Sequence, residues 1–296
     1  MAMEGGASVE EMARASQMRG HEVIAQVLRE AQPYIEALRG KTVVIKLGGS
    51  TLEDEPDALE DIIWLHNLGA RPVLVHGGGP HISALLERLG TPSQFVRGLR
   101  VTDAPTLEVV RMVLVGKVNG DLVQAVTRHG GRAVGLSGID GPILRAAPIA
   151  PELGYVGAVT AVDPGPIRAL SDAGYIPIIA PLALAANGDV LNINADDAAA
   201  DLARGMAASK LLYLSDVPGI HDREGRLLSV LSDAQTRALL ADGTIAGGMI
   251  PKAEACLRAL ETTSRVHIVD GRESHVLVRE LFTDEGAGTM IERAKA

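Results

Sequence analysis

Two glycine-rich tracts, each at the end of an apolar run, constrain this chain more than any other feature of its sequence. In residues 42–50 a β-branched and apolar run leads through Lys46 into Gly48 and Gly49, and in residues 74–80 a second run ends in three glycines. Adjacent glycines at strand ends let backbone N–H groups approach a bulky anion without a Cβ in the way. Either tract alone also fits an ordinary strand–helix turn. Two of them, one strand–helix unit apart, indicate a phosphate-bearing ligand that meets a second reactant.

Composition narrows the classes of protein to which the chain can belong. Its 296 residues are 47% apolar but only 2% aromatic, so the core must be built from Ala, Val, Leu and Ile, as suits strands buried on both faces. A formal net charge of −9 argues against a general nucleic-acid-binding protein, because phosphate backbones attract basic surfaces. The single cysteine, Cys256, excludes an intrachain disulfide framework and a cysteine-based zinc cluster.

The sequence predicts a cytoplasmic protein without a membrane segment. No apolar run reaches the roughly 18 residues that a spanning helix needs. The first twenty residues are polar and contain acidic side chains, unlike a signal or transit peptide.

The N-terminal segment is predicted to be an appendage of the folded core. We expect residues 1–20 to form a disordered lead. Residues 21–40 have apolar positions at three- and four-residue spacing, which is typical of an amphipathic helix that Gly40 would end and Pro33 would kink. Because this helix precedes the first strand, its apolar stripe either folds back on its own domain or packs on another subunit.

Beyond residue 40, strand-like and helix-like segments alternate. Apolar runs of strand length occur at residues 42–47, 71–76, 133–138, 175–179, 210–216 and 265–269. Residues 91–102 form a polar excursion, a hairpin or a lid, and the Asn-Gly-Asp at residues 187–189 is a strong hairpin signal. The alternation predicts an α/β fold: a three-layer αβα sandwich with a central, mainly parallel open sheet.

The positions of two lysines favour phosphoryl transfer. The sequence contains neither a G-x-x-x-x-G-K-[ST] motif nor a G-x-G-x-x-G motif. Lys46 lies beside the first glycine tract, and Lys252 falls about one turn into a helix that follows Gly247 and Gly248. Two cations beside glycine loops can position and neutralise the oxygens of a transferring phosphoryl group. Each lysine taken alone is also typical of a solvated surface cation.

A polar strand end supplies a second candidate site. If β alternation continues through residues 192–196, Asn192, Asn194 and Asp196 point to one face and form a binding edge. The alternative is that Asn194 or Asp196 caps the alanine-rich helix that follows. We interpret His76, beside the second glycine tract, as a structural residue.

Six motifs, taken in order, resemble those of the amino-acid kinase family. They are Lys-Leu-Gly-Gly at 46–49, His-Gly-Gly-Gly-Pro at 76–80, Gly-Leu-Arg-Val-Thr at 98–102, Asn-Ile-Asn-Ala-Asp at 192–196, Leu-Ser-Asp-Val-Pro-Gly at 214–219 and Gly-Met-Ile-Pro-Lys at 248–252. The resemblance covers about residues 22–291. Any one motif is shared across the family, whereas the full set is most similar to the branch that phosphorylates N-acetyl-L-glutamate.

The resemblance implies a phosphotransferase with a carboxyl group as acceptor. ATP would phosphorylate the side-chain carboxylate of N-acetyl-L-glutamate to N-acetylglutamyl 5-phosphate, in arginine biosynthesis. Residues 41–185 would form an N-terminal lobe for the amino-acid substrate, and residues 186–296 a C-terminal lobe for ATP. Lys46 and Lys252 would stabilise the transferring group, and Asp196 would hold both lysines. A carboxylate with an ordinary pKa of about 4.3 is already ionised, so it needs no general base.

The same resemblance implies the ligand contacts. Gly78 and Gly79 would bind the substrate's side-chain carboxylate, Arg100 its α-carboxylate and Asn192 its acetamido end, with Asn194 nearby. The residues expected to contact ATP are Gly48, Gly49, Ser215, Asp216, Val217, Gly219, Gly247, Gly248 and Met249. Mg²⁺ would be carried on the ATP phosphates, so we expect no dedicated protein metal site.

Regulation is also implied. Arginine-inhibited members of that branch carry a kinked N-terminal helix like residues 21–40 and use it to join three dimers into a hexamer. L-arginine would then be an effector that binds between this helix and the C-terminal lobe. The residues carried over to that site are Tyr34, Lys210, His267, Glu280 and Gly286. For Glu280 the alternative is an ordinary surface position on a helix. Nothing in the sequence decides whether a nitrogen-signalling regulator is a further partner.

Two other functions fit parts of the pattern. A kinase of a carrier-linked aminoadipate or glutamate would share many motifs, but its acidic carrier would favour basic residues near the substrate, and residues 92–95 contain none. A non-catalytic effector-binding sensor would have no need of both Lys46 and Lys252.

Overall fold

The computed structural model describes residues 9–48 and 56–294. Its strands are β1 (Thr42–Leu47), β2 (Arg71–His76), β3 (Phe95–Val96), β4 (Leu99–Arg100), β5 (Ala133–Ser137), β6 (Leu144–Pro148), β7 (Val156–Val162), β8 (Ile176–Ala180), β9 (Leu182–Leu184), β10 (Val190–Ile193), β11 (Lys210–Ser215), β12 (Val230–Ser232), β13 (Arg265–Asp270) and β14 (Thr289–Glu292). Its α-helices are α1 (Val9–Leu38), α2 (Pro56–Asn67), α3 (Gly79–Arg88), α4 (Ala104–Arg111), α5 (Asn119–Arg128), α6 (Gly165–Asp172), α7 (Ala195–Met206), α8 (Asp233–Ala241), α9 (Met249–Ala259) and α10 (Val276–Phe282). None of these helices is long and apolar enough to cross a membrane.

An eight-stranded sheet runs through the centre in the order β12–β14–β13–β11–β1–β2–β8–β5. All of its pairings are parallel except the one between β13 and β14. The prediction of a mainly parallel sheet with flanking helices is therefore confirmed. β1 is central, and Val43, Val44 and Ile45 are fully buried, as expected for a strand covered by helices on both faces.

A second, smaller sheet was not predicted. β10, β7, β6 and β9 form a closed four-stranded barrel beside the main sheet. The predicted hairpin at residues 187–189 is confirmed, since it joins β9 to the antiparallel β10. β10 also pairs with β7, so this strand, which follows the expected lobe boundary at residues 185/186, pairs with strands that precede it. The hairpin turn keeps β10 beside β9, the strand that precedes it.

The helical stretch from α4 to α5 is interrupted by a different hydrogen-bonding pattern. Between α4 and α5 the chain forms a π-helix over Met112–Val118. π-helical turns are rare in proteins, and those that do occur are often found at functional sites. This segment contacts both α3 and β5, so it lies between the second glycine tract and an edge of the main sheet.

The N-terminal helix is longer than predicted. Residues 1–8 lie outside the described residues, but α1 begins at Val9, so the expected disordered lead does not extend to residue 20. The extra residues are mostly helix formers, and adding turns to an existing helix costs little. The last turns of α1 pack on α10, where Tyr34 and Phe282 lie 6.2 Å apart between ring centroids and Leu38 is buried. The apolar side chains of its middle turns are exposed: Val23, Ile24, Val27 and Leu28.

Candidate functional site

Two lysines from distant parts of the chain meet one carboxylate at the centre of the molecule. Lys46 Nζ lies 2.8 Å from Asp196 Oδ1, and Lys252 Nζ lies 2.8 Å from Asp196 Oδ2. The side chains of the two lysines are only 10–12% exposed. The structure thus brings together the three residues expected to be catalytic, and we call them the lysine–aspartate cluster.

Three different elements position this cluster. Lys46 is on β1, Asp196 is in the first turn of α7, and Lys252 is in the first turn of α9, which packs on α7. Tyr213 of β11 is a further contributor that the sequence did not reveal. Its hydroxyl donates a hydrogen bond to the backbone oxygen of Asp196, and its ring centroid lies 4.9 Å from Lys252 Nζ. Alternation along β11 points Tyr213 into the core, but only the tertiary structure shows what it meets there.

The electrostatics of the cluster favour a charged Asp196. Burial acts to raise the pKa of its carboxyl group, but the two lysine charges outweigh burial and lower that pKa to about 2. Asp196 therefore stays ionised and keeps the two like-charged ammonium groups together.

The stability of the protein should reflect this pKa. A carboxyl group whose pKa is depressed on folding stabilises the native state above its usual pKa of 3.8 and loses that effect as the pH falls towards about 2. We expect Asp196→Asn to lower the free energy of unfolding at pH 7 by about 2 kcal/mol. The deficit should shrink as the pH falls from about 4 to about 2. Urea denaturation at pH 7, 4 and 3 measures it.

The matched control is Asp121→Asn, which breaks an exposed ion pair with Lys117. Exposed pairs contribute at most about 1 kcal/mol, so this variant should show a small difference at every pH. An Asp196→Asn deficit that is the same at pH 7 and pH 3 would contradict the assignment.

The expected polar strand face at residues 192–196 is wrong in part. β10 ends at Ile193, and Asn194 is the N-cap of α7, with its side chain accepting hydrogen bonds from the backbone N–H of Asp196 and Asp197. Asp196 therefore projects from a helix and not from a strand. The capping alternative holds for Asn194 because α7 starts directly after the strand and its first N–H groups need acceptors.

The second glycine tract forms a loop at the start of α3. We call residues 77–79 the glycine loop; Gly78 is the N-cap of α3, without a side-chain cap, and Pro80 lies in the first turn. A helix N-terminus with free backbone donors attracts anions. Leu114 of the π-helical segment packs closely against Gly78, since a Cβ there would lie 2.6 Å from Leu114 Cδ2 and would displace that side chain.

Arg100 places a buried positive charge beside this loop. Its guanidinium donates hydrogen bonds to the hydroxyl oxygens of Ser93 and Ser83 and to the backbone oxygen of Gly79, and it lies 4.7 Å from the ring centroid of Phe95. Burial lowers its pKa. Among the described residues Arg100 forms no ion pair with a carboxylate, so an anionic ligand would compensate its charge. Ser83 and Ser93 carried no recognisable sequence signal.

A cavity of about 190 Å³ joins these groups. It is lined by the glycine loop, Arg100, Asn192, Asn194 and neighbouring apolar residues, and it reaches Ala195, next to Asp196. Asn192 donates a hydrogen bond to Thr102 Oγ1, which itself donates to the backbone oxygen of Arg100. All the described residues expected to contact the amino-acid substrate therefore surround one cavity beside the lysine–aspartate cluster.

Apart from Gly48 and Gly49, the residues expected to contact ATP lie in two segments of the chain. The first segment is the end of β11, where Ser215 is the last strand residue and Asp216, Val217 and Gly219 follow. β11 is the neighbour of β1 in the sheet, and Gly48 N–H, directly after β1, donates a hydrogen bond to the backbone oxygen of Leu214. The second segment is the start of α9, where Gly247 and Gly248 precede Met249 and the helix has no side-chain cap. Gly49 lies outside the described residues.

All five residues carried over to the effector site line a second cavity, of about 510 Å³. They are Tyr34, Lys210, His267, Glu280 and Gly286. The cavity lies between the end of α1 and the C-terminal part of the chain. Asp284 and Glu285 also line it, and Tyr34 donates a hydrogen bond to Asp284.

Glu280 is buried and not an ordinary surface residue. Its Oε1 accepts a hydrogen bond from His267 Nδ1, and its Oε2 accepts from the backbone N–H groups of Ala287 and Gly288. Burial acts to raise its pKa, but these hydrogen bonds and the His267 charge lower it overall. Burial and the Arg265 charge lower the pKa of Lys210 to about 8. The cavity therefore presents a permanent carboxylate and a cation of reduced basicity.

Metal ligands do not cluster in the part of the chain that the structure describes. Within residues 9–48 and 56–294 there is no group of three or more His, Cys, Asp or Glu side chains able to hold a metal ion. In the lysine–aspartate cluster the Asp196 carboxylate already binds two ammonium groups.

Comparison with known sequences shows which proteins this chain is similar to. The sequence profile of the amino acid kinase family matches residues 41–270. The chain is 48% identical over 278 residues to the acetylglutamate kinase of Gloeobacter violaceus, a match that covers 90% of this chain and 92% of that protein.

Among solved structures, two of an N-acetylglutamate synthase from Neisseria gonorrhoeae are similar to this chain. The complex with coenzyme A and N-acetyl-glutamate has a TM-score of 0.83 at 31% identity and covers 92% of this chain but 64% of that one. The complex with coenzyme A and L-arginine has a TM-score of 0.79 at 29% identity, covering 91% and 65%.

Proposed function

Since the chain belongs to the amino acid kinase family, we propose that it transfers the γ-phosphoryl group of ATP to the side-chain carboxylate of N-acetyl-L-glutamate. The observation that carries this proposal is the lysine–aspartate cluster, which adjoins a cavity with a buried arginine and a glycine-lined helix N-terminus. Its curated relative from Gloeobacter violaceus is an acetylglutamate kinase. The product would be N-acetylglutamyl 5-phosphate.

The reaction needs no proton transfer. A carboxylate oxygen of the substrate attacks the γ-phosphorus, a new O–P bond forms, and the bond from the γ-phosphorus to the bridging oxygen breaks as ADP leaves. The nucleophile is ionised at pH 7, so the site has to orient two anions and neutralise their charge. Lys46 and Lys252 would contact the transferring group from two sides, and Asp196 would hold them at the required separation.

The two lobes would divide the substrates between them. In the first lobe, the glycine loop would bind the reacting carboxylate and Arg100 the α-carboxylate, while Asn192 of β10 would contact the acetamido group. In the second, the segments after β11 and before α9 would hold ATP, with Mg²⁺ carried on its phosphate oxygens.

Substrate choice tests the proposal directly. ADP release is measured with ATP and, in parallel, N-acetylglutamate, glutamate, aspartate and aminoadipate. We expect turnover with N-acetylglutamate and at least about tenfold lower kcat/KM with each free amino acid, because the free α-ammonium replaces a neutral amide. Turnover only with another acid would refute the substrate assignment, and no turnover at all would favour the carrier-linked kinase or the sensor.

We further propose that L-arginine inhibits the protein from the 510 Å³ cavity between α1 and the C-terminal region. Three acidic residues line that cavity, and an arginine guanidinium would find an ionised carboxylate at Glu280. The exposed apolar side chains of α1 indicate that another protein surface covers this helix. We propose that α1 joins subunits in a cytoplasmic homo-hexamer, a trimer of dimers. A nitrogen-signalling regulator as an additional partner has no support in the structure.

Removing one charge from the cavity tests the effector proposal. We expect Glu280→Gln to raise the arginine concentration for half-inhibition at least about tenfold, since a charged hydrogen bond contributes roughly 1.5–3 kcal/mol. The change is measured from the activity of each protein as a function of arginine concentration. Glu273→Gln, which loses an exposed pair with Arg279, is the control and should leave the curve unchanged. Equal sensitivity in Glu280→Gln and the unmodified protein would place the arginine site elsewhere.

A further inference from the structure

A buried asparagine and histidine lie directly behind the glycine loop, and no ligand contact accounts for them. His76 is fully buried at the end of β2, and Asn119 is 4% exposed at the start of α5. Asn119 Nδ2 lies 3.1 Å from His76 Nε2, and His76 Nδ1 lies 2.7 Å from the backbone oxygen of Gly77. The two side chains thus connect the helix to the glycine loop.

The hydrogen-bond partners of His76 and Asn119 determine which of their atoms donate and which accept. The Gly77 oxygen can only accept, so His76 Nδ1 carries the proton and donates it. Asn119 Nδ2 also lies within 3.0–3.1 Å of the backbone oxygens of Leu136 and Ile178, so its nitrogen faces three acceptors. Its two N–H groups are shared among these two oxygens and His76 Nε2, which is unprotonated and accepts. Burial lowers the pKa of His76 to about 4, which keeps this one neutral tautomer at pH 7.

The backbone around Asn119 is shaped to admit its side chain. The π-helical segment Met112–Val118 ends directly before Asn119, and its Leu114 packs against Gly78. At Gly135 of β5, a Cβ would lie only 1.9 Å from Asn119 Oδ1. The missing side chain at residue 135 therefore makes room for the amide that holds His76.

We propose that Asn119 is a positioning residue that acts through His76 to hold the glycine loop where the acceptor carboxylate binds. The proposal rests on the function proposed above for its link to the substrate, but the placement of the loop can be measured without any substrate. Three other hydrogen bonds hold the loop. Gly77 N–H donates to the backbone oxygen of Leu47 of β1, Ile82 N–H donates to the backbone oxygen of Gly78, and the Arg100 guanidinium donates to that of Gly79. Loss of the Asn119 amide should therefore loosen the glycine loop. It should not disturb the segments after β11 and before α9, which are proposed to hold ATP.

Three variants separate a positioning role from mere space filling. Asn119→Ala removes the donor. Gly135→Ala keeps the donor but displaces it. In the double variant Asn119→Ala/Gly135→Ala, the methyl group added at residue 135 enters the space that the amide vacates. Its thermal midpoint should therefore be nearer to that of the unmodified protein than the midpoint of either single variant is. The donor is still missing in the double variant.

The first readout is hydrogen exchange in the full-length protein without substrate. We expect amide exchange across residues 77–82 to rise about tenfold in Asn119→Ala and in the double variant. Thr236→Val is the matched control, because it also removes a fully buried polar group, one that bonds to the Ser232 backbone oxygen far from the loop. Unchanged exchange in Asn119→Ala, or the same rise in Thr236→Val, would overturn the proposal whatever the substrate is.

The second readout is steady-state kinetics. We expect KM for N-acetylglutamate to rise about tenfold in all three variants, while KM for ATP changes less than about twofold. A double variant that regains the unmodified KM would show that Asn119 only fills space, and a parallel rise in both KM values would indicate a general loss of structure; either result overturns the proposal. If the unmodified protein turns over no acid, the proposed function fails, while hydrogen exchange still decides the role of Asn119.

Discussion

Replacing Lys46 by alanine is expected to lower kcat about 100- to 1,000-fold. That is the range observed when one preorganised donor to a developing charge is removed from an active site. The Lys46 side chain is 12% exposed and its Nζ is held 2.8 Å from Asp196 Oδ1, so its position is set before any substrate binds. Preorganisation of this kind stabilises the transition state without a further ordering cost.

The measurement compares kcat of Lys46→Ala with that of Lys117→Ala. Lys117 is also a lysine paired with an aspartate, but it is exposed on the surface of the protein. Its replacement should leave kcat within about twofold, because surface pairs contribute little. A Lys46→Ala variant that folds, as judged by its thermal midpoint, and keeps more than about a tenth of the unmodified kcat would exclude Lys46 from the transfer step.

Replacing Arg100 by alanine is expected to raise KM for N-acetylglutamate about 10- to 100-fold, with KM for ATP nearly unchanged. A hydrogen bond to a charged group contributes roughly 1.5–3 kcal/mol, and each 1.4 kcal/mol is a factor of ten in affinity. Arg100→Lys should recover only part of the loss, since an ammonium group cannot reproduce the planar fork that binds a carboxylate with two parallel hydrogen bonds.

Arg97→Ala is the matched control for this prediction. Arg97 lies at the turn of the same β3–β4 hairpin but is exposed. Its removal should leave both KM values unchanged. Arg100→Ala and Arg97→Ala could instead alter KM for N-acetylglutamate equally. The effect would then come from general attraction of an anion to the hairpin and not from a binding site for the α-carboxylate.

Local patterns were enough to predict the parts of the fold that depend on local physics. Apolar runs predicted the parallel strands, and the Asn-Gly-Asp turn predicted the β9–β10 hairpin, because both signals act over a few neighbouring residues. The glycine tracts and lysines predicted where to look for an anion site. In the structure the two lysines, 206 positions apart in the sequence, do meet at Asp196.

The features that were missed depend on the tertiary structure. The small barrel requires β10 to pair with β7 as well as with its hairpin partner, and no local signal specifies that second pairing. At Asn194, capping of α7 prevailed over strand alternation, since the start of the helix could not be located to one residue. Tyr213 and Asn119 look like ordinary strand and helix residues until their partners are known.

The most direct test of the central claim is to identify the bond that forms. ATP and N-acetylglutamate are incubated with the protein in the presence of hydroxylamine, which converts an acyl phosphate into a hydroxamate, and the product is analysed by mass spectrometry. The account predicts the side-chain hydroxamate of N-acetylglutamate, formed with ATP by the unmodified protein and reduced about 100-fold or more in Lys46→Ala. ADP release without any hydroxamate would contradict it, because the acceptor would then be water or another group and not the carboxylate.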